Sequence, residues 1–155
     1  MDLTSELERL RESAESYYMG GDFRCAETVM KVILENFETE MPETIWNLAS
    51  GLPGGIGGSG CVCGALAGGS MALGLFFGRK GPEDREVPKS MALSRELHDI
   101  FKAKHKVACC RVLIKKFVVG SPEHRQKCAK ITGEMVVETA KVILREKGPD
   151  ALRKR

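Results

Sequence analysis

Apolar side chains recur at steps of three and four residues along most of this 155-residue chain. That spacing places them on one face of an α-helix, whereas a half-buried strand would alternate apolar and polar side chains. No strand-like alternation extends beyond a few residues. The first segment shows the helical pattern at Leu3, Leu7, Leu10, Ala14 and Tyr17. We therefore predict an all-α fold, a compact bundle of five to six helices in a single domain.

Glycine, proline and short polar residues indicate where these helices begin and end. Gly20-Gly21 ends the first helix, and Asp22 is a candidate cap for the second. Ser121-Pro122-Glu123 begins the last helix, and Gly148-Pro149 stops it. The predicted helical segments after the first are 22–37, 42–49, one that follows residue 61, about 91–117 (continuous or interrupted) and 121–146. We expect the tail from about residue 148 to 155 to be flexible.

Residues 50–60 contain six glycines, which excludes a regular helix there. The segment has no Gly-Lys-Ser/Thr ending and no preceding strand, so a nucleotide-binding loop is not supported. We expect a loop that brings backbone amides close to sulfur atoms or to a small ligand. The glycines predicted to line such a cofactor are Gly57, Gly58, Gly60 and Gly64.

Residues 61–77 follow this loop and carry no charge. Seventeen residues, several of them glycine, are a poor membrane span, so we predict a central buried helix and no membrane span.

Charge is distributed unevenly, with a net of −5 in residues 1–80 and +8 in residues 81–155. Two halves of one fold can attract each other in this way, and a basic surface for nucleic acid or an acidic partner is the alternative. No aromatic or Gly/Arg pattern accompanies the lysines, so we expect no nucleic-acid partner.

Six cysteines are many for a chain long enough to fold without disulfides: Cys25, Cys61, Cys63, Cys109, Cys110 and Cys128. The N-terminus is acidic and polar, unlike a secretory signal, and we expect a cytoplasmic protein. In a reducing compartment cysteines serve metal binding or redox chemistry more often than structural bridges. Cys25, Cys61 and Cys63 fall at predicted helix starts, where amides and the helix dipole lower a thiol pKa. Cys109 and Cys110 fall inside the predicted 91–117 helix.

Several interpretations of these cysteines stay open at this point. Their spacing matches no zinc finger, C-x-x-C redox pair, haem attachment or ferredoxin run. Free cysteines also serve as small buried hydrophobes. His105 and His124 each precede a cysteine by four residues, which allows a mixed nitrogen–sulfur site or an activated thiol. We favour solvated histidines and a four-thiolate site built from four chain segments.

Cys25, the glycine-rich loop, Cys63-Gly64-Ala65-Leu66-Ala67-Gly68, Cys110 and Cys128 together resemble the redox-active protein family named for its C_GCAxxG_C_C pattern. The resemblance extends from the second helix to the last and implies sulfur-based redox chemistry. The cysteines that match the family pattern are Cys25, Cys63, Cys110 and Cys128. Cys61 and Cys109 are additional candidates.

The leading hypothesis is a small electron-transfer or redox-sensing protein, whose four matching cysteines bind an iron–sulfur cluster and whose partner is another redox protein. The second is metal-free thiol–disulfide exchange, with Cys63 as a low-pKa attacker and Cys61 or Cys25 as its resolving partner. The third is a non-redox helical module, or a homodimer of it, with a structural zinc site.

Overall fold

The structure is a computed structural model that describes residues 2–154. In that part of the chain it contains six α-helices, two short 3₁₀ segments and no strand, which confirms the predicted fold class. The helices are α1 (Leu3–Gly20), α2 (Cys25–Asn36), α3 (Gly64–Phe77), α4 (Lys89–His105), α5 (Cys110–Leu113) and α6 (Pro122–Lys147). The 3₁₀ segments are Glu43–Ala49 and Pro149–Ala151.

The bundle is organised around α3 and α6. Helix α6 packs against α1, α2 and α3, while α3 also packs against α2 and α4. The uncharged α3 is therefore the buried helix that its sequence predicts, since apolar side chains on all its faces find apolar neighbours. The largest fully buried side chains include Phe37, Phe101, Leu10, Met30, Ile33, Leu73, Leu97 and Met135. None of the helices within residues 2–154 is long and apolar enough to cross a membrane.

Helix ends follow the local signals at most positions. Gly21 is left-handed, with φ of 84°, and ends α1, while the Ser121 side chain accepts the His124 amide at 3.2 Å at the start of α6. The predicted cap at Asp22 is wrong. Helix α2 begins at Cys25, and the capping residue is Arg24, whose amide donates to the Glu27 carboxylate at 3.0 Å.

The predicted helix at 91–117 is interrupted. Helix α4 ends where Lys106 takes a left-handed conformation with φ of 70°, and α5 begins only at Cys110. Cys109 and Cys110 therefore lie at the start of a helix. The prediction that they lie in the interior of one helix is wrong. The cause is long-range pairing, because the Cys63 amide donates to the Ala108 carbonyl at 2.7 Å and the Arg111 amide donates to the Gly60 carbonyl at 3.1 Å.

The C-terminal segment lies against the end of α2. Phe37 and Leu152 form an isolated antiparallel bridge, and the Arg153 amide donates to the Asn36 carbonyl at 2.9 Å. The flexibility expected for residues 148–155 stays a prediction, and these contacts weigh against it.

Candidate redox site of four cysteines

Four helices each bring one cysteine to the same end of the bundle. Cys25 is the first residue of α2, Cys63 caps α3, Cys110 is the first residue of α5, and Cys128 lies in the second turn of α6. Burial raises the pKa of both Cys63 and Cys128, and charge on Cys25 and Cys110 raises both further, so the four thiols lie near enough to affect one another's ionisation. Cys61 is exposed in the loop and Cys109 caps α5.

Burial governs the ionisation of these thiols. It raises the pKa of Cys63 to about 12 and that of Cys128 to about 11, and it also raises the pKa of Cys25 and Cys110. The amides of Leu66 and Ala65, in the first turn of α3, favour the Cys63 thiolate but do not outweigh its desolvation. The lowered pKa predicted for Cys63 is therefore wrong for the metal-free chain, because the side chain is only 7% exposed.

The glycine-rich loop is folded back on itself and lies against the cysteines. The Gly57 amide donates to the Gly51 carbonyl at 2.8 Å, and the Gly60 amide donates to the Gly54 carbonyl at 2.9 Å. The Gly54 amide also favours the Cys25 thiolate and lowers its pKa against the effect of burial. The predicted approach of a loop amide to a sulfur atom is thus present in the structure.

Gly55 shows why the loop needs glycine beside the site. Its φ is +73°, and a Cβ built there would lie 3.0 Å from Cβ of Cys110 and would press on the Cys61 amide nitrogen. A Cβ at Gly60 would lie 2.7 Å from Cβ of Arg111. Around Gly57 and Gly58, by contrast, no atom lies within 4 Å of such a position. The cofactor contacts expected of Gly57, Gly58, Gly60 and Gly64 stay predictions.

Two glycines four residues apart bring α3 against the start of α2. A Cβ at Gly64 would lie 2.5 Å from Sγ of Cys25, and one at Gly68 would lie 2.7 Å from the Ala26 carbonyl oxygen. Both positions face α2 because residues at this spacing share one side of a helix. The close approach places Cys63, which lies just before the start of α3, beside Cys25.

Tyr18 is a member of the site that sequence reasoning missed. It lies in the last turn of α1, and its hydroxyl is hydrogen-bonded to the Cys128 thiol. Burial and the neighbouring charge of Cys128 raise the pKa of Tyr18. No signal in the sequence points to Tyr18. Helix α1 contains no cysteine, and the apolar spacing assigns Tyr17, not Tyr18, to its buried face.

The histidines do not join the cysteines. His105 directs Nε2 to the Glu134 carboxylate at 2.9 Å, and its ring lies against Phe101, with 4.6 Å between the ring centroids. Its side chain is 9% exposed, so the expectation of a solvated histidine is wrong at this position. His124 accepts the Gly120 amide on Nδ1 at 2.9 Å. Each imidazole ring is hydrogen-bonded to a residue other than a cysteine, and the mixed histidine–cysteine site is not formed.

The four thiols do not form a metal-ion site as they stand in the described part of the chain. Within residues 2–154, no three His, Cys, Asp or Glu side chains are grouped closely enough to hold a metal ion as they stand. The thiols nevertheless affect one another's ionisation.

A cleft of about 640 Å³ lies elsewhere on the molecule, between the start of α1, the end of α6 and the C-terminal segment. Leu3, Leu7, Leu144 and Leu152 line it. Leu144 follows Cys128 by sixteen residues, about 24 Å along the helix. The cleft is not part of the cysteine site.

The fold and the site define a small all-α protein in which four helical segments and a glycine-rich loop carry four cysteines. The chain belongs to the family described as "Putative redox-active protein (C_GCAxxG_C_C)", which it matches over residues 23–142. It is also similar to an uncharacterized protein of Archaeoglobus fulgidus, with 27% identity over 128 residues that cover 72% of this chain and 79% of the relative. No solved structure matches it.

Proposed function

We propose that this protein is a small electron-transfer or redox-sensing protein, in which Cys25, Cys63, Cys110 and Cys128 bind an iron–sulfur cluster. One observation carries the proposal: the four cysteines that match the family pattern begin, cap or lie on four separate helices, and charge on Cys25 and Cys110 adds to the burial that raises the pKa of Cys63 and Cys128. We further propose a reducing, cytoplasmic location, where such thiols stay free of disulfides.

The donor set suits a cluster better than a zinc ion. Four cysteines are the usual ligands of a cluster, and each binds a different part of it. A structural zinc ion instead draws four ligands to about 2.3 Å from one atom. Four thiols that affect one another's pKa are consistent with one shared group, and a cluster offers each of them a separate iron to bind.

The protein's own groups would adjust the properties of such a cluster. A cluster supplies reversible electron transfer, and hydrogen bonds to its sulfur ligands set its reduction potential. The Gly54 amide favours negative charge on Cys25, the Leu66 amide does so on Cys63, and the Tyr18 hydroxyl does so on Cys128. These three hydrogen-bond donors would stabilise the more negative, reduced state of a bound cluster and would raise its reduction potential. Ligation must also release protons, because burial keeps these thiols protonated in the metal-free chain.

Anaerobic reconstitution with ferrous iron and sulfide tests the proposal. We expect visible absorption, bound iron and sulfide, and an electron paramagnetic resonance signal in one oxidation state. Serine at Cys25, Cys63, Cys110 or Cys128 should reduce the bound iron, whereas Cys61→Ser and Cys109→Ser serve as matched controls that retain it. A wild-type chain that stays colourless and iron-free contradicts the proposal. Stoichiometric zinc without a redox response would support the structural-zinc hypothesis.

Thiol–disulfide exchange is the second candidate, and the exposure of Cys61 favours it. Cys61 is the better attacker, because Cys63 is buried and its pKa is raised to about 12. The Cys61 thiolate would attack a partner's disulfide, form a mixed disulfide and release one partner thiolate. Cys63 would then attack the Cys61 sulfur and release the second. The partner gains two electrons, and this chain is left with one disulfide.

Oxidised glutathione separates the two candidates. Exchange predicts that the free-thiol count of the metal-free chain falls by two, and that Cys61→Ser prevents this loss. An unchanged thiol count excludes exchange at this pair.

A further inference from the structure

We propose that the surface formed by residues 111–119 binds an acidic protein partner, which exchanges electrons with the cysteine site. We name it the 111–119 surface, and its exposed members are Arg111, Val112, Lys115, Lys116, Val118 and Val119. The inference rests on the proposed redox function and adds the chemical character of the partner.

The 111–119 surface begins at the site itself. Arg111 follows Cys110 directly, and its amide donates to the Gly60 carbonyl at 3.1 Å. Gly55, in the same loop, lies against Cβ of Cys110. Cys63 is buried, whereas Cys110 is only partly so. A partner that covers this surface therefore lies next to one of the four cysteines.

Positive charge predominates on the 111–119 surface. Arg111, Lys115 and Lys116 are exposed, and none of them forms an ion pair with the described residues. The sequence carries no acidic residue from 100 to 122 and no charged residue from 44 to 78. Some basic groups elsewhere are paired, as Arg145 is with Glu96 at 2.9 Å. Uncompensated charge of one sign steers partners of opposite charge.

Apolar side chains accompany this charge. Val118 is 78% exposed and Val119 is 74% exposed, and Ile56, at the tip of the adjoining loop, is 57% exposed. An apolar centre with charged groups around it is typical of protein interfaces. Single-stranded nucleic acid is held by exposed aromatic side chains instead, and Phe117, the aromatic residue of this segment, is partly buried. The combination favours an acidic protein over a nucleic acid.

A plant-type [2Fe–2S] ferredoxin, an electron carrier with a large negative charge, is the probe. We would titrate the full chain with oxidised ferredoxin at low salt by calorimetry and follow the amide signals of residues 111–119 by NMR. The test variant is Lys115→Glu/Lys116→Glu. The control is Lys80→Glu/Arg85→Glu, which makes the same change in net charge at exposed positions beyond the far end of α3.

We expect the wild-type chain to bind, and added salt to weaken the binding. The dissociation constant should rise on the order of tenfold in Lys115→Glu/Lys116→Glu and stay within about twofold of wild type in the control. Val118→Ser/Val119→Ser should weaken binding several-fold, whereas Val87→Ser, at a position that is 76% exposed, should not. Circular dichroism confirms that each variant is folded.

Three outcomes would overturn the proposal: no binding to ferredoxin, equal weakening by both charge reversals, or tighter binding of a single-stranded oligonucleotide that Lys115→Glu/Lys116→Glu abolishes. The titration needs no activity of the cysteine site. Failure to bind therefore leaves the proposed redox function standing, and failure to assemble a cluster leaves the binding result standing.

Discussion

Gly64 and Cys25 meet with no room for a side chain between them, since a Cβ at residue 64 would lie 2.5 Å from Sγ of Cys25. The two residues begin α3 and α2 respectively. Position 64 of the Cys-Gly-Ala motif therefore needs glycine, because a larger residue there would collide with Cys25, which is distant in the sequence. It fixes how close two of the four site segments can come.

Gly64→Ala should cost about 1–3 kcal/mol of unfolding free energy, because the added methyl group must displace the sulfur or separate α2 from α3. Gly74, in the same helix, is the control: it is exposed, and no atom lies within 4 Å of a Cβ built there. Gly74→Ala should stabilise by up to about 1 kcal/mol through helix propensity. Urea denaturation measures both changes. A Gly64→Ala chain as stable as wild type would show that the sulfur can move aside freely.

The rate of thiol alkylation should fall as the burial of the thiol increases. In the native metal-free chain at mildly alkaline pH, iodoacetamide should modify the exposed Cys61 first and Cys63 last. The pKa of Cys63 is raised to about 12 from 9.0, which leaves roughly a thousandfold less thiolate to react. Mass spectrometry of the digested protein gives the order. Labelling of Cys63 as fast as Cys61 would contradict the burial of this site.

Alkaline pH should destabilise the metal-free chain. The folded state holds protons on Cys63 and Cys128 up to pKa values of about 12 and 11, whereas the unfolded chain releases them near 9.0. Since the unfolded state then binds fewer protons, the free energy of unfolding falls as pH rises through this window. Urea denaturation from pH 7 to 10 should show the onset of the decline. Cys63→Ser should make the decline shallower without abolishing it, because Cys128 still contributes.

Tyr18→Phe should change the chemistry of the site with little change in its packing. Loss of the hydrogen bond to Cys128 should cost about 1 kcal/mol of stability and lower the reduction potential of the reconstituted cluster. Tyr17→Phe is the neighbouring control, because its hydroxyl donates to Glu35 at 2.9 Å and is not bonded to a cysteine. Equal potentials in the two variants would show that the Tyr18 hydroxyl does not act on the site.

Helices and their ends were predictable because their causes are local. Apolar spacing places one face of a helix inward, Gly21 accepts a left-handed conformation, and Ser121 caps the turn that follows it. Each of these signals acts within one or two turns of the chain. The loop at 50–60 was predictable for the same reason. The sequence did not determine whether the helix breaks at Lys106, since hydrogen bonds that join residues 108 and 111 to residues 60–63 decide where the helix ends.

The sequence by itself determined the helical segments, the glycine-rich loop and the set of cysteines available to a site. Contacts between distant segments decided the rest: that Cys110 lies near Cys25 and Cys63, that the Tyr18 hydroxyl is hydrogen-bonded to Cys128, and that burial raises the Cys63 pKa against the effect of the helix N-terminus. Desolvation depends on every atom packed around a thiol, whichever part of the chain supplies it. Periodicity and capping carry no information about those neighbours.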